Sequence, residues 1–136
     1  MGHMNVMWYT HLFSEATVGL FQLIGLTWQY MEKHQGGSFD LESHIRYLSE
    51  VRVGQVVEIR SRLLGRSEKR FHVMHFMTNQ EKQDVSATLE VTGAYVDMRS
   101  RRMAVLPNVV THHLDTMIAG HRELDWDAHA CGIMGP

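Results

Sequence analysis

A change of hydrophobic periodicity near residue 38 constrains the fold of this chain more than any other feature. Before that point, apolar residues recur at three- and four-residue spacing, which is typical of a helix with one buried face. After it, apolar and polar residues alternate, which is typical of strands that bury one side. The order of these two patterns predicts an α+β domain in which one long helix packs on an antiparallel sheet.

The first 38 residues predict one long helix and then a break. Residues 5–33 carry the helical pattern, and the polar side chain of Asn5 suits the cap before the first turn. Gly19 and Gly25 weaken the pattern, so we expect the helix to bend or end near residue 25. The stretch HQGGS at 34–38 predicts the break. The predicted apolar stripe is Tyr9, Leu12, Phe13, Ala16, Leu20, Leu23 and Ile24.

Residues 39–98 predict about four antiparallel strands joined by short polar turns. The first strand places Phe39, Leu41, Ser43, Ile45 and Tyr47 on one face. The stretches RSEK at 66–69 and NQEKQD at 79–84 predict hairpin turns. A short helix is expected over 109–120, and residues 121–136 fit no regular pattern. The 136 residues suit a single domain.

Composition excludes several classes of function. The net charge of −2 does not favour nucleic acid or an anionic membrane, and no apolar run approaches the roughly 18 residues of a membrane span. No secretory leader is recognisable, and the single cysteine, Cys131, has no partner for a disulfide within the chain. These features predict a protein of the reducing cytoplasm.

Ten histidines raise the question of a metal site. His72 and His75 are three apart on a predicted strand and therefore point to opposite faces. His112 and His113 are adjacent on a predicted helix and cannot face one site. No cysteine stands at ligand spacing from any of them, so the sequence predicts no metal site.

Four separated segments carry a resemblance to a known family. They are GHMNVMWYTHLFSEAT, HIRYLSEVRVGQVVEIRSRLLG, RFHVMHFM and ATLEVTGAYVDMRSRRMAVLP, and they span about residues 2–107 in order. Together they resemble the hot-dog fold acyl-CoA thioesterases of the 4-hydroxybenzoyl-CoA thioesterase type. Within that group, GHMN and HIRYL are most similar to thioesterase-like proteins associated with carnitine catabolism, whose substrate is suspected to be betainyl-CoA. The fold implied is a long helix wrapped by a curved antiparallel sheet.

The resemblance implies where a thioester would react. Backbone amides at the start of the helix, around Asn5 and Val6, would hold the thioester carbonyl, and His3 would shape the same turn. A helix start has unpaired N–H groups and a partial positive charge, so it suits a developing oxyanion. The alternative is that Asn5 only caps the helix, and the two roles are compatible.

The attacking carboxylate is harder to assign. The family pattern has a strand and then an acidic residue three positions before the glycine that is Gly2 here, so we expect a segment in front of this turn to carry both. Glu15 is the only acid on the first helix before Glu32. It lies ten residues past Asn5, about 15 Å along a helix, so it would act only across a dimer interface. A solvated surface glutamate is the alternative.

The substrate is expected to bring coenzyme A, and the resemblance implies no other cofactor. His44 and Tyr47, on the strand after the helix, are candidates for lining the acyl pocket. Arginine and lysine bind phosphate, and two basic clusters flank predicted turns. The candidates for the phosphates are Arg66, Lys69, Arg70, Arg101 and Arg102, although a solvated turn is the alternative for each cluster.

The sequence therefore predicts an acyl-CoA thioesterase that forms a homodimer or a dimer of dimers, with its sites at the subunit interface, as the family resemblance implies. Two alternatives stay open from the residues alone. One is a protein of the same fold that binds acyl-CoA without hydrolysing it, which a missing acid would fit. The other is a hot-dog dehydratase, which needs a differently placed pair of histidine and acid.

Overall fold

A computed structural model describes residues 2–136 and contains three helices and five strands among them. The helices are α1 (Val6–Leu23), α2 (Trp28–His34) and α3 (Asn108–Arg122). The strands are β1 (Gly36–Tyr47), β2 (Val57–Arg66), β3 (Arg70–Asn79), β4 (Asp84–Asp97) and β5 (Arg102–Met103). None of the described helices is long and apolar enough to cross a membrane.

The five strands form one antiparallel sheet with helices on one face, which confirms the predicted α+β plan. The order is β1-β4-β3-β2, and the short β5 pairs with the end of β4. We call the face that contacts α1 and α3 the inner face and the opposite one the outer face. The core lies between the inner face and the two helices, around Phe13, Leu63, Val73, Val91 and Leu114.

The first helix begins where the sequence predicts and ends close to the predicted point. Asn5 caps α1, and its side chain accepts a hydrogen bond from Met7 N. Gly25 adopts a positive φ of 83°, so the chain turns and then restarts as α2, which Thr27 caps. The predicted helix over 5–33 is therefore two helices. The predicted stripe is wrong at Leu23, which is 66% exposed beside this turn.

The predicted break at 34–38 is present but shorter than expected, because α2 ends at His34 and β1 already begins at Gly36. Gln35 turns the chain in the left-handed conformation, with φ 51°. Gly36 and Gly37 then continue as strand. A side-chain carbon at Gly36 would collide with the ring of Tyr95 on β4, so the glycine permits close packing rather than a turn.

A bulge in β1 also corrects the predicted face of this strand. The register with β4 shifts between Asp40 and Glu42. Ser43 pairs with Val91, whose side chain lies in the core on the inner face. Phe39 pairs with Ala94, three positions further along β4, so it lies on the opposite face. An extra residue in one strand reverses the alternation before it, so Phe39 and Tyr47 lie on opposite faces.

The hairpins between β2, β3 and β4 confirm the predicted turns. Three residues separate β2 from β3, and residues 80–83 separate β3 from β4. Asn79 closes the second turn, because its side-chain oxygen accepts hydrogen bonds from Glu81 N and Lys82 N, both at 3.1 Å. The predicted helix over 109–120 is present as α3, slightly longer.

The segment after α3, which fits no sequence pattern, crosses the outer face of the sheet. The indole of Trp126 packs edge-to-face against Phe76 of β3, with ring centroids 5.1 Å apart. Arg62 of β2 lies over the Trp126 ring and donates a hydrogen bond to its carbonyl oxygen at 2.6 Å. Further along, Cys131 N donates to Glu90 of β4 at 2.8 Å. We call residues 123–136 the tail.

A buried histidine joins α1 to the sheet. Thr17 of α1 donates to Phe13 O, so its oxygen is free to accept from His75 Nε2 at 3.1 Å. His75 Nδ1 then accepts from the hydroxyl of Ser61 on β2 at 2.6 Å. This arrangement requires a neutral imidazole, and burial lowers the pKa of His75 to about 4.

We expect this histidine to make the fold sensitive to acid. The unfolded imidazole titrates near pH 6.5 and the folded one near 4, so the unfolded chain binds more protons between these values. Stability is therefore full above about pH 6.5 and falls as the pH drops toward 4, by up to about 3 kcal/mol. Urea unfolding of the parent and His75→Gln at several pH values tests this. The His75→Gln protein should lose part of this slope, whereas the exposed His112→Gln should keep it. An unchanged slope in His75→Gln contradicts the assignment.

Candidate active site

The polar turn before α1, residues 2–4, is held in place by residues 51–53, which lie between β1 and β2. His3 and Arg52 form an isolated antiparallel bridge. Met4 N donates to Val51 O at 2.7 Å, and Val53 N donates to Gly2 O at 2.8 Å. Residues 2–4 are therefore aligned with 51–53, and this pairing sets the direction in which the start of α1 points.

The first turn of α1 leaves the backbone N–H of Val6 available. Asn5 Oδ1 accepts from Met7 N at 3.0 Å, and Asn5 O accepts from Trp8 N at 3.0 Å. Within residues 2–136, Val6 N has no hydrogen-bond acceptor. It sits at the positive end of an 18-residue helix, which favours a negatively charged oxygen beside it.

An open groove of about 480 Å³ lies against this turn. It runs between the start of α1 and the end of β1. Tyr9 and Tyr47 meet edge-to-face in it, with ring centroids 5.2 Å apart and planes at 82°. Burial raises the pKa of the Tyr9 hydroxyl, and a hydrogen bond with the Val51 backbone opposes the shift. The lining residues are His3, Met4, Asn5, Val6, Tyr9, Tyr47, Leu48, Ser49 and Glu50.

The groove gathers four of the residues singled out from the sequence: His3, Asn5, Val6 and Tyr47. It also contains a carboxylate that sequence reasoning missed, Glu50. This side chain is mostly exposed and lies 3.9 Å from Arg52 at the edge of the groove. Nothing in the sequence signals Glu50, because it approaches Asn5 only when the chain after β1 returns to pair with residues 2–4.

Two other candidates lie outside this groove. Glu15 is 65% exposed on α1 and contacts His11 at 3.2 Å, one helical turn earlier. His44 faces away, because it pairs across the strands with Glu90, whose side chain lies on the outer face. Within one protomer, neither side chain lines the groove that contains Asn5.

The predicted phosphate-binding cations lie at the other end of the sheet. A neighbouring pocket that shares His3, Met4 and Asn5 with the groove reaches Val57, the first residue of β2. Arg66 is the last residue of that strand, about 30 Å from Val57 at the usual rise per residue. Arg66 is engaged by Asp115 of α3 through two hydrogen bonds, which hold the pKa of Asp115 below its usual range. The remaining cations, Lys69, Arg70, Arg101 and Arg102, flank the turns at that same end.

A second cavity, of about 450 Å³, lies on the outer face between the sheet and the tail. Its walls include Phe76, Trp126 and Thr88, and two arginines, Arg46 and Arg60, border it. It is more apolar than the groove and has no helix start beside it. Thioester chemistry needs donors for an oxyanion, so the groove at α1 is the better candidate.

Comparisons with known proteins show the family of this chain. The profile of the thioesterase-like superfamily matches residues 1–114. A betainyl-CoA thioesterase of Pseudomonas aeruginosa is 32% identical over 90% of this chain and 77% of its own. A protein of Rhizobium meliloti named L-carnitine dehydrogenase/betainyl-CoA thioesterase is 32% identical over 91% of this chain, which spans only 25% of that relative.

Solved structures show the same fold. A hypothetical protein of Staphylococcus aureus, determined in complex with CoA, has a TM-score of 0.90 at 23% identity and covers 100% of this chain and 86% of its own. A putative thioesterase of Pseudomonas putida has a TM-score of 0.81 at 28% identity, over 99% of this chain and 85% of its own. The matched segments include the start of α1 and the whole sheet, and the chain belongs to the thioesterase-like superfamily with the hot-dog fold.

Proposed function

We propose that this protein hydrolyses the thioester of a short acyl-CoA whose acyl group carries a quaternary ammonium, as betainyl-CoA does. The observation that carries the proposal is the groove itself, in which the free amide of Val6 stands close to two tyrosines and a carboxylate. The names of the Pseudomonas aeruginosa and Rhizobium meliloti relatives support the same substrate.

The groove supplies the groups that a thioester hydrolysis needs. The N–H of Val6 donates to the carbonyl oxygen and stabilises the negative charge that forms as water attacks the carbonyl carbon. Glu50 takes a proton from that water. When the carbon–sulfur bond breaks, Glu50 returns this proton to the thiolate of coenzyme A. The acyl group leaves as the carboxylic acid, which ionises and releases the second proton of the water to solvent.

The two tyrosines and Glu50 favour a cationic acyl group. Aromatic faces attract quaternary ammonium groups, and a nearby carboxylate adds to the attraction. Tyr9 is held against the core at 5% exposure, whereas Tyr47 is 47% exposed and free to contact a ligand. A neutral acyl group of the same shape would pack against the tyrosine rings in the same way, but it would lack the electrostatic attraction to the rings and to Glu50.

The substrate preference tests this assignment. We expect betainyl-CoA to be hydrolysed with a kcat/KM at least tenfold above that of the neutral analogue in which a tert-butyl group replaces trimethylammonium. Tyr47→Phe should keep most of this ratio because it keeps the aromatic face, and Tyr47→Leu should reduce it. Thiol release measured for both substrates with all three proteins gives the result. Equal rates for the two substrates in the parent contradict the cationic pocket.

The identity of the carboxylate is tested by a pair of variants. We expect Glu50→Gln to lower kcat by about 100-fold or more, because general-base assistance contributes factors of this size. Glu15→Gln serves as the matched control for a glutamate that lies away from the groove. Loss of activity in Glu15→Gln alone would overturn the role of Glu50 and support action of Glu15 across a subunit interface. A parent that binds acyl-CoA without releasing thiol would favour the binding protein instead.

We also infer that two copies pair through β1. This strand is at the end of the sheet, and its outer edge pairs with no other strand among residues 2–136. It is 12 residues long and exposes Phe39 and Leu41, a combination that soluble proteins normally cover. The β2 edge differs, because His121 of α3 accepts a hydrogen bond from Leu63 N there.

An antiparallel β1 pair would also bring the distant cations to the groove. Gly36 of β1 pairs with Asp97, and Asp97 pairs with Arg102. In the pair, the Gly36 end of one copy lies beside the Tyr47 end of the other. Arg101 and Arg102 of the second copy would then approach the groove, where they could bind the phosphates of coenzyme A.

We expect a dimer mass in solution. Light scattering at micromolar concentration should give about twice the chain mass of 15.7 kDa. Leu41→Lys, on the exposed edge strand, should weaken the dimer, and Val53→Lys, at an 86% exposed loop position, should not. A monomer mass for the parent at that concentration contradicts pairing through β1.

We also propose that the protein is located in the cytoplasm, because a single cysteine such as Cys131 stays reduced there.

A further inference from the structure

We propose that His44, Glu90 and Cys131 bind a divalent transition metal ion of the zinc type on the outer face of the sheet. One ligand atom from each, an imidazole nitrogen, a carboxylate oxygen and the thiol sulfur, lie within 4.8 Å of one another. The three residues come from β1, β4 and the tail. They are separated by more than 40 positions in the sequence, so no spacing motif announces them.

The sheet itself brings two of the ligands together. His44 and Glu90 are directly opposite each other in the register of β1 and β4 and therefore share a face. The tail supplies the third, because Cys131 N donates to Glu90 Oε1 at 2.8 Å and places the cysteine beside that carboxylate. The position of Cys131 is thus fixed by a backbone contact that does not use its sulfur.

Glu90 is an unusual residue for this position. It is 1% exposed, and a carboxylate so deeply buried is costly without a compensating charge. Its second oxygen contacts His72 Nε2 at 2.7 Å. Such a contact orients a metal-bound carboxylate, as the hydrogen-bonding partners of metal ligands generally do.

A second observation is a buried hydroxyl group without a hydrogen-bonding partner close to Glu90. Thr92 follows Glu90 by two residues on β4 and pairs with His72 across the strands. It is 3% exposed, and its hydroxyl oxygen has no hydrogen-bonding partner among residues 2–136. The protein groups alone therefore leave this buried polar layer incomplete.

The donor set selects the type of metal. Thiolate and imidazole favour zinc and its neighbours over magnesium or calcium, which prefer oxygen ligands alone. Zinc–ligand bonds of about 2.0–2.3 Å place tetrahedral ligand atoms roughly 3.3–3.8 Å apart, so an adjustment of about 1 Å closes the set. His44 is exposed and free to make that adjustment, and water completes the fourth position.

The consequence of binding is structural. The metal would join the tail to two strands and hold Trp126, Asp127, Ala128 and His129 as a wall of the outer cavity. The site is separate from the groove at α1, and it does not depend on the proposed hydrolysis. Either proposal can fail while the other holds.

Metal binding is tested with the purified protein after treatment with a chelator. Titration with Zn²⁺ should show one ion per chain at micromolar affinity or tighter, with release of protons as the thiol ionises. Co²⁺ should give sulfur-to-metal charge-transfer absorption. Cys131→Ser should abolish that absorption, and His44→Gln should weaken binding at least tenfold. His112→Gln and His34→Gln, exposed histidines outside the cluster, should bind like the parent.

The proposal that the metal ion holds the tail against the sheet is tested by amide hydrogen exchange. Zn²⁺ should slow exchange in residues 123–136 of the parent and leave the exchange of Cys131→Ser unchanged. The His44 and Cys131 variants change partly accessible side chains, so folding is expected to survive in both. Absence of binding, binding that persists in both variants, or binding without protection of the tail would each overturn the proposal.

Discussion

The position of α1 on the inner face of the sheet fixes the helix start at which we propose that the thioester carbonyl binds. Phe13 is fully buried against the sheet, and the hydrogen-bond chain from Thr17 through His75 to Ser61 joins the helix to two strands. A helix attached in this way cannot slide or rotate without breaking the hydrogen bonds of the buried His75, which are costly to leave unpaired. Its first turn is therefore a rigid donor. The pairing of residues 2–4 with 51–53 then directs that donor toward the groove.

Much of the fold follows from local pattern, and the errors have identifiable causes. The cap at Asn5, the two hairpin turns and the antiparallel order depend on residues close together in the chain, so periodicity and turn chemistry predict them. The role of Gly36 was missed because it depends on contact with Tyr95, about 60 residues away. The face of Phe39 was wrong because a bulge reverses the alternation, and no local signal announces an extra residue in a strand.

The candidate site likewise contains residues that local sequence predicts and residues that only the fold brings together. The sequence predicts His3, Asn5 and Val6 together because they lie close in the chain and match a family motif, whereas Glu50 reaches the groove only through the return of the chain after β1. The cluster of His44, Glu90 and Cys131 was missed for a similar reason. Its members come from two strands and an irregular tail, so only the register of the sheet and one backbone hydrogen bond unite them.

The two faces of the sheet thus carry different features. The inner face carries the helix whose amides suit an oxyanion, and the outer face carries a polar layer covered by the tail. This division explains why a strand residue such as Glu90 is buried although it faces away from the helices. The more apolar cavity lies under the tail and has no helix start beside it.

The central claim is that the start of α1 holds the reacting carbonyl. A crystal structure with a non-hydrolysable analogue of betainyl-CoA, in which a methylene group separates carbonyl and sulfur, tests it most directly. The account predicts that the carbonyl oxygen accepts a hydrogen bond from Val6 N at about 2.9 Å, with the ammonium group against Tyr47. An acyl group found in the outer cavity beside Trp126, with Val6 N unengaged, would contradict it.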